Sequence, residues 1–325
     1  MPPVINNSTM KTRILITFVL TISSFLAHSQ NKTLQWINEN SIPLVENSQS
    51  KNFSFLDSEL NEKTILGLGE ASHGTHEFYI QKAHIIKYLI TNSNYRLLGF
   101  ELTQTNISPI NDYLQNGNGD LKTLMKSLML YNAQEIFDLF QWIKEYNQGQ
   151  TAAKKVVLFG FDSEDFWHDP LTRDKGMAEI IIKTQKSEAS KAIIWSHNVH
   201  IAKDITMAEV EAMGGYLKQE LGSKYYALGF DTYKGSVNVI AEGKITKHSF
   251  ESAPDTFSGL FSKAKDGQIF ISFNSKKSNP FTQTKNKITN IYSVWTNDRA
   301  LPILPGSDFD AIVFIRETTA SLIIE

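Results

Sequence analysis

Residues 64–102 read TILGLGEASHGTHEFYIQKAHIIKYLITNSNYRLLGFEL, with two short apolar runs on either side of a loop and an amphipathic segment. Thr64–Gly69 is a short apolar run that ends in glycine, which predicts a buried strand. From Thr75 to Thr91 the apolar residues recur at helical spacing, and Thr75 can cap that helix. Tyr95–Glu101 is a second apolar run. The stretch therefore predicts a strand, a loop, a helix and a second, parallel strand.

Three acid–base side chains follow the two predicted strands of this unit. Glu70 and His73 lie in the loop after the first strand, and Glu101 ends the second strand. The carboxyl ends of parallel strands meet at one edge of a sheet, where ligands bind in open α/β folds. Gly69 and Gly74 allow the loop to turn tightly and to approach a ligand. We therefore expect both carboxylates to approach His73 within one cleft.

The alternation of strands and helices continues to residue 221. Val156–Asp162 and Lys191–Ser196 are further apolar runs, and a helix is predicted between them at Arg173–Ser187. This order predicts an α/β fold with a mainly parallel central sheet flanked by helices. A helical segment at 105–148 is expected to cover one side, and an antiparallel addition is expected at 224–295.

Three finer predictions concern the carboxyl-terminal half. Met207–Leu221 has the pattern of one helix. Lys224–Thr232 and Gly235–Ala241 are predicted as separate short strands joined by a tight turn. Ile288–Trp295 is predicted as a later strand.

Composition narrows the classes of function. The chain has 325 residues, a formal net charge of −2 and ordinary apolar and charged fractions. This charge balance indicates no nucleic-acid-binding surface. The chain has no cysteine, which excludes disulfides, a thiol nucleophile and cysteine-ligated zinc. The length suits one large domain or a domain with a subdomain.

The amino terminus has the pattern of a targeting segment. Lys11 and Arg13 precede an apolar run at Ile14–Leu26, and a small-x-small cleavage site ends at Ser29. We predict a signal peptide within residues 1–29 that starts at Met10, followed by a secreted or periplasmic domain at 30–325. A retained membrane anchor is the alternative, although the apolar run is short for a membrane span.

Two more histidines follow the fourth strand, in the segment SHNVH, and these are His197 and His200. With the groups of the first unit they form a cluster of histidines and carboxylates at one sheet edge, which packing alone does not explain. Asp162 ends the third strand and either lines the same cleft or caps the next loop. The remaining histidines of the central region are interpreted as surface or structural residues: His76 and His84, expected to face solvent, and His168.

Two kinds of chemistry suit this cluster. A carboxylate such as Glu70 can fix the tautomer of His73 and stabilise its imidazolium form. The chain has no GxSxG elbow, phosphate-binding loop or dinucleotide motif, so water is the expected nucleophile. A second acid–base group would stabilise the oxyanion or protonate the leaving group. A metal centre of two histidines and two glutamates is the alternative, although the HExxH and facial-triad spacings are absent.

The motifs GEASHGTHEF, GFE, GFD and SHNVH, with the closing segment FDAIVFIRETTAS, resemble those of the erythromycin esterase family. The resemblance covers most of the mature chain. It implies a metal-independent hydrolase without a cofactor, acting on a small-molecule ester or lactone, with no nucleic-acid or membrane partner.

The resemblance also implies roles for individual residues. His73 corresponds to the proposed general base that activates water in the family. The positions that match the other motif residues are Glu70, Glu101, His197 and His200. Lys82 takes the place of an arginine that lines the cleft in macrolide-resistance enzymes. We expect Glu70, Glu101 and His197 to act with His73 in catalysis, and His200, Lys82 and Asp162 to contact substrate.

One feature departs from the family pattern. Family members usually have a long helical insertion between the GFD and HNxH strands, whereas about 30 residues separate them here, enough for one crossover helix. A more open cleft is expected, with poor macrolide hydrolysis and better turnover of smaller or more extended esters. A metal-dependent hydrolase that uses the same residues and a binding protein without turnover are the alternatives.

Overall fold

The computed structural model describes residues 31–44, 53–274 and 278–325, with only the backbone described at residues 170 and 171. The predicted signal peptide at 1–29 lies outside these residues. The described part begins with helix α1, at 31–40, and the short strand β1, Ile42–Pro43. No helix in these ranges is long and apolar enough to cross a membrane.

The described strands form one nine-stranded sheet and a separate two-stranded ribbon. After β1 they are, in chain order, β2 (Ile65–Leu68), β3 (Tyr95–Thr103), β4 (Val157–Asp162), β5 (Lys191–Trp195), β6 (Tyr225–Ala241), β7 (Lys244–Glu251), β8 (Gln268–Ser272), β9 (Asn286–Thr289), β10 (Ala300–Ile303) and β11 (Ala311–Thr318).

The order across the large sheet is β1-β8-β11-β6-β2-β5-β3-β4, and β7 pairs with β6 outside this row. From β11 to β4 all neighbouring strands are parallel, whereas β8 and β1 are antiparallel additions at one edge. The ribbon consists of β9 and β10. The prediction of a mainly parallel central sheet is confirmed.

Helices cover both faces of the sheet. After α1 they are, in chain order, α2 (Phe55–Glu59), α3 (His76–Asn92), α4 (Gln104–Asn116), α5 (Leu121–Met125), α6 (Gln134–Gln148), α7 (Pro170–Glu188), α8 (Asn198–Ile201), α9 (Met213–Leu221) and α10 (Phe257–Phe261). Helices α3, α4 and α6 pack on one face, and α7, α9 and α10 pack on the other. One helix, α7, makes the short crossover between β4 and β5.

Alternate residues of the central strands contact the two helical layers. In β2, Leu66 and Leu68 belong to the core under α3, whereas Ile65 belongs to the core under α7 and α9. Both faces of the strand are therefore dry, which explains the continuous apolar runs in the sequence. Burial of both faces also fixes the register, and the register determines where each strand ends at the functional edge.

Strand β6 differs from the sequence prediction. The pattern predicts two short strands, but β6 is one continuous strand of 17 residues. Its first half is parallel to β2 and β11, and its second half pairs antiparallel with β7. Gly235 (φ 145°) lies where the partner strands of β6 change. Only glycine fits there, because a Cβ would overlap the carbonyl oxygen of Thr318. The antiparallel addition therefore begins within β6 and not at residue 224.

Two other boundaries also differ from the prediction. The helix predicted from Met207 begins only at Met213, whose backbone N–H donates to the Asp174 carboxylate at 2.8 Å. The strand predicted at Ile288–Trp295 ends at Thr289. Beyond it the chain turns toward the loop after β2, where the Ile291 N–H donates to a backbone carbonyl.

The loop after β2 is held from three sides. The Gly74 carbonyl accepts hydrogen bonds from the backbone N–H groups of Asn238 in β6 and of Ser321 in the carboxyl-terminal segment, both at 3.0 Å. The Ala71 carbonyl accepts one from Ile291 at 2.7 Å. The loop is thus fixed by chain segments far away in the sequence.

Gly74→Ala is expected to lower the free energy of unfolding by roughly 1–3 kcal/mol, the usual cost of overpacking a tight site. The added Cβ would overlap the carbonyl oxygen of Asn238, which is backbone and cannot rotate away. Urea unfolding measures the change. Gly149→Ala is the control, because the nearest atom to its Cβ lies 3.9 Å away. Equal stability of the two variants would contradict this packing.

Candidate active site

The carboxyl ends of four neighbouring strands bring the predicted residues together. The strands lie in the order β2, β5, β3 and β4. In that order their ends carry Glu70 with His73, His197 with His200, Glu101, and Asp162. The connection after β2 runs through α3 on one face of the sheet, whereas the connection after β5 runs through α9 on the other face. The residues therefore lie at a topological switch point, where a crevice forms at the sheet edge.

A cleft of ≈ 380 Å³ opens at this edge. Its polar lining includes His73, Glu101, Tyr131 and Asp162. Its walls are apolar, and they are formed by Leu102, Leu128, Met129, Leu130, Trp167 and Ile240. The volume lies in the usual range for small-molecule sites. A second depression of ≈ 730 Å³ also borders Asp162, but no histidine lines it.

His73 is held by a buried carboxylate. Its Nδ1 lies 2.7 Å from Oε1 of Glu70, and its side chain is 14% exposed while that of Glu70 is 0% exposed. The Tyr131 hydroxyl donates to the same carboxylate oxygen at 3.3 Å and lies 3.2 Å from Nδ1. Because Nδ1–H donates to Glu70, Nε2 is the nitrogen that remains to accept a proton.

Lys82 lies beneath this pair and does not line the cleft, so the prediction that it contacts substrate is wrong. Its Nζ lies 2.7 Å from Oε2 of Glu70, and its side chain is 0% exposed. The Trp195 indole N–H donates to the same oxygen at 2.9 Å. The ammonium also lies 4.2 Å from the Trp195 ring centroid, at cation–π distance.

Both members of the buried pair are charged at neutral pH. Burial would raise the pKa of Glu70, but the positive charge of Lys82 and the hydrogen bond from His73 hold that pKa below its usual value. Burial lowers the pKa of Lys82 to about 8, against the opposing attraction of Glu70. The shift at Glu70 favours its charged form, whereas the shift at Lys82 favours its neutral form. At pH 7 both pKa values still leave a carboxylate beside an ammonium.

Both carboxylate oxygens of Glu101 are occupied by hydrogen-bond donors. Its Oε2 accepts hydrogen bonds from the Ser196 hydroxyl at 2.7 Å and from the His197 backbone N–H at 3.0 Å. Its Oε1 faces Arg173 Nη2 at 3.1 Å and His200 Nε2 at 3.2 Å. Burial would raise the pKa of Glu101, but the charges of His200 and Arg173 hold it well below its usual range. Glu101 is therefore an anion that orders its neighbours.

His200 is held between two carboxylates. Its Nδ1 lies 2.8 Å from Asp174, and its Nε2 faces Glu101. Burial would lower the pKa of His200, but Glu101 and Asp174 together raise it to about 10. His200 is thus an imidazolium at neutral pH and cannot accept a proton there. It does not line the cleft.

His197 has the opposite character. Its side chain is buried, its Nδ1 accepts the Val199 N–H at 3.4 Å, and its Nε2–H donates to the Ile291 carbonyl at 3.3 Å. Burial lowers the pKa of His197 to about 3. Both ring nitrogens are therefore occupied in a neutral imidazole. The structure places His197 against the His73 ring, at 5.0 Å between centroids, and not at the cleft surface.

Asp162 lines the cleft and anchors two side chains. It accepts hydrogen bonds from Arg173 Nε at 3.2 Å and Nη2 at 2.8 Å. It also accepts the Trp167 indole N–H at 3.0 Å. Arg173 thus bridges Asp162 and Glu101, and its side chain is 27% exposed. Burial would lower the pKa of Arg173, but these carboxylates raise it, so it remains a cation.

Sequence reasoning missed four residues that complete the site: Tyr131, Arg173, Asp174 and Trp195. None belongs to a recognisable motif. The adjacent charges Arg173-Asp174, eleven positions after the strand-end Asp162, were the one available signal, because the first turn of a crossover helix lies near the edge where the preceding strand ended. Tyr131 lies in the connection between α5 and α6, where no local pattern points to the cleft.

The histidines of α3 are more buried than predicted. His76 pairs through Nδ1 with the Glu135 carboxylate, and His84 packs at 6.3 Å from the Phe53 ring. Burial, with the charge of Lys87, lowers the pKa of His84. His168 is exposed, in agreement with its surface interpretation.

The carboxylates of the cluster are engaged by cations of the chain itself. Within the described ranges, no group of three or more histidine, aspartate or glutamate side chains is arranged to hold a metal ion. Glu70 is paired with Lys82, and Glu101 is paired with Arg173 and His200. A metal ion at this site would have to displace those partners.

Comparison with known proteins agrees with the motifs. The sequence profile of a family described as erythromycin esterase matches residues 90–170 and 163–318. A candidate hydrolase of Bacillus subtilis, YbfO, is 30% identical over 158 residues, which cover 46% of this chain and 34% of that protein. The type II erythromycin esterase of Escherichia coli is 24% identical over 133 residues, covering 39% of this chain and 31% of that enzyme. The matched segments thus span about a third of each relative.

Solved structures show the same fold. A succinoglycan biosynthesis protein superposes with a TM-score of 0.83 at 19% identity, covering 91% of this chain and 99% of that one. A mutant of the erythromycin esterase EreC in its open conformation gives a TM-score of 0.69 at 13% identity, covering 88% and 99%. The family profile covers most of the present chain. The chain therefore belongs to the erythromycin esterase family.

Proposed function

We propose that this chain hydrolyses a small-molecule carboxylic ester or lactone with water activated by His73 and without a metal ion. The observation that carries the proposal is the Glu70–His73 pair, 2.7 Å apart, with the histidine side chain on the wall of the cleft. Membership of a hydrolase family supports the reaction class. Because the neighbouring histidines are held as an imidazolium and as a neutral donor–acceptor, His73 is the base best suited to the step.

The proposed reaction has two proton transfers. Nε2 of His73 accepts a proton from water as the water oxygen bonds to the ester carbonyl carbon. The Glu70 carboxylate, which accepts the Nδ1–H, stabilises the imidazolium that forms. The tetrahedral intermediate then expels the alkoxide, and the proton on His73 passes to that oxygen. The products are a carboxylic acid and an alcohol, and His73 returns to its neutral form.

Arg173 is the proposed electrophile for the carbonyl oxygen. Its guanidinium lies between two carboxylates that line the cleft, and it keeps its charge at all working pH values. A fixed cation beside the position of the developing oxyanion stabilises the transition state more than the ground state. Glu101 and Asp162 then serve to position Arg173 and not to accept protons.

The substrate remains a prediction from the architecture. The single crossover helix α7 leaves the cleft open on the side of β4, which supports smaller or more extended esters over macrocyclic lactones. The lysine at position 82, in place of the arginine of the macrolide-resistance enzymes, does not bear on this preference, because Lys82 is buried. Among the relatives, erythromycin esterase is the name of the Escherichia coli type II enzyme and of EreC.

His73→Ala is expected to lower kcat for ester hydrolysis by roughly 10²–10⁴-fold, the usual contribution of a general base. The thermal midpoint should stay close to that of the wild type, because the side chain is at the cleft wall. A release assay on a panel of simple esters and lactones measures the rates. His248→Ala is the matched control, since that histidine stacks on Trp295 outside the cleft. Equal rates for the two variants would refute the mechanism.

Hydrolysis is expected to survive chelating agents. Protein purified without added metal should contain no stoichiometric zinc, manganese or iron by elemental analysis, and activity should be unchanged after EDTA and phenanthroline. The reason is that Lys82, His200 and Arg173 already neutralise the carboxylates of the cluster. One tightly held ion per chain, whose removal abolishes turnover, would overturn this and favour the metal-dependent alternative.

Lys82→Met is expected to lower the free energy of unfolding by about 3–5 kcal/mol, because it leaves the buried Glu70 charge without its partner. Urea unfolding at pH 7 measures the loss. The double variant Glu70→Gln with Lys82→Met should recover part of it. Lys186→Met is the control, since its pair with Glu220 has the same 2.7 Å distance but lies in solvent, where such pairs contribute about 0–1 kcal/mol. A loss no larger than that of the control would contradict the buried pair.

A further inference from the structure

The mouth of the cleft is unusually apolar. Seven large hydrophobic side chains are exposed in the described part of the chain: Met129, Trp167, Ile205, Val210, Tyr292, Val294 and Leu322. Two of them, Met129 and Trp167, line the cleft with His73 and Glu101. Two more, Tyr292 and Val294, flank Ser293, which also lines it. Exposed apolar surface concentrated around a functional cleft marks a binding site.

Trp167 is exposed but held in place. The residue is 55% exposed, while its indole N–H donates to Asp162 at 3.0 Å. Asp162 is in turn fixed by Arg173 through two hydrogen bonds. A tryptophan tethered at its polar end presents its apolar face to a ligand with little further loss of side-chain freedom. Asp162 therefore holds both Arg173, the proposed electrophile, and Trp167, which forms this apolar wall.

Met129 is exposed through a strained backbone. Its φ and ψ are 53° and −116°, in a region that non-glycine residues rarely adopt, and its neighbours Leu128 and Leu130 are buried. The strain turns the Met129 side chain outward while its neighbours pack inward. Strain of this kind persists where the surrounding structure enforces it, and it clusters at ligand sites. Methionine also adapts its shape to varied apolar ligands.

The charges around the reacting centre limit the ligand further. Four carboxylates, namely Glu70, Glu101, Asp162 and Asp174, are paired with three cations, namely Lys82, Arg173 and His200. The cluster thus has an excess of negative charge, which opposes the approach of an anion. The apolar residues of the cleft wall provide no positive charge to bind such an anion.

We propose that Met129 and Trp167 form an apolar subsite that binds the non-reacting part of a neutral ester and so determines specificity. This inference rests on the proposed hydrolysis by His73, and it names the substrate class as uncharged esters that carry an apolar chain or ring. The apolar part lies against the two side chains, and the carbonyl faces His73 and Arg173. Binding energy gained at the subsite then orients the reacting carbonyl.

The first test compares p-nitrophenyl acetate, butyrate and octanoate. For the wild type, kcat/KM should rise with chain length, by up to about fourfold for each methylene that is buried. Trp167→Ala and Met129→Ala should each lower the octanoate-to-acetate ratio by roughly tenfold. Ile205→Ala is the matched control, because Ile205 is 53% exposed but lies outside the cleft. A ratio that is flat in the wild type, or unchanged in both cleft variants, would overturn the subsite.

Charge selectivity is tested with p-nitrophenyl hemisuccinate, whose acyl group has the same length as that of the butyrate ester but ends in a carboxylate. The wild type should hydrolyse it at least tenfold less efficiently, because the carboxylate meets apolar walls and an acidic cluster. Equal efficiency for the two esters would overturn the assignment to neutral substrates.

A binding measurement separates this inference from the proposed reaction. 2-Decanone has a carbonyl and an apolar chain but no leaving group, and its binding is followed by tryptophan fluorescence and calorimetry. Binding that weakens about tenfold in Trp167→Ala and in Met129→Gly, without ester turnover in the wild type, would refute the reaction and support the subsite. Ester turnover without such dependence would refute the subsite alone, and the absence of both would refute the two together. Met129→Gly removes the side chain and also relieves the strained backbone, so lost binding there cannot be ascribed to unfolding.

Discussion

The site depends on one buried ion pair. Glu70 has no contact with solvent, yet it keeps its charge because Lys82, Trp195, Tyr131 and His73 all direct donors at its two oxygens. These partners come from α3, from β5, from the helical segment before α6 and from the loop itself. The orientation of the His73 ring is therefore set by the packing of four separate parts of the chain. A carboxylate with fewer donors would be neutral at this depth, and it could not then stabilise an imidazolium.

A second charged layer joins the remaining strand ends. It runs from Asp174 through His200, Glu101 and Arg173 to Asp162, with signs that alternate along the row. The three inner groups, His200, Glu101 and Arg173, each have an opposite charge on both sides, so they hold their charge near neutral pH. This has a chemical consequence, because groups that hold their charge can position and polarise but cannot shuttle protons. His73 can transfer protons because its Nε2 has no charged partner among the described residues, whereas His200, Glu101 and Arg173 hold their charges because each has two.

The local sequence pattern was sufficient to predict the central strands and helices and the sheet edge at which the site forms. Each central strand is a continuous apolar run that ends in a polar residue. The local pattern was insufficient for Lys82, whose neighbours in α3 suggested an amphipathic helix with a wet face. In the structure α3 packs against both the sheet and α6, and the helix therefore buries Gln81 and Lys82 as well as its apolar residues. Tyr131 reaches the cleft, and Arg173 reaches the two carboxylates that line it, only through tertiary packing. The continuity of β6 was hidden by Gly235, which resembles a turn residue but serves the close approach of the Thr318 backbone.

The short connection from β4 to α7 links openness to specificity. Only seven residues, 163–169, separate Asp162 from Pro170, so this segment cannot cover the cleft. It does place Trp167 at the cleft wall, and the bond from its indole to Asp162 ties that wall to the charged frame. A longer connection would enclose more of a ligand but would lose this direct link. In such folds the strand ends carry the chemistry and the connections carry the selection of substrate. Here the two meet at a single carboxylate, so a change at Asp162 would disturb both the electrophile and the apolar subsite.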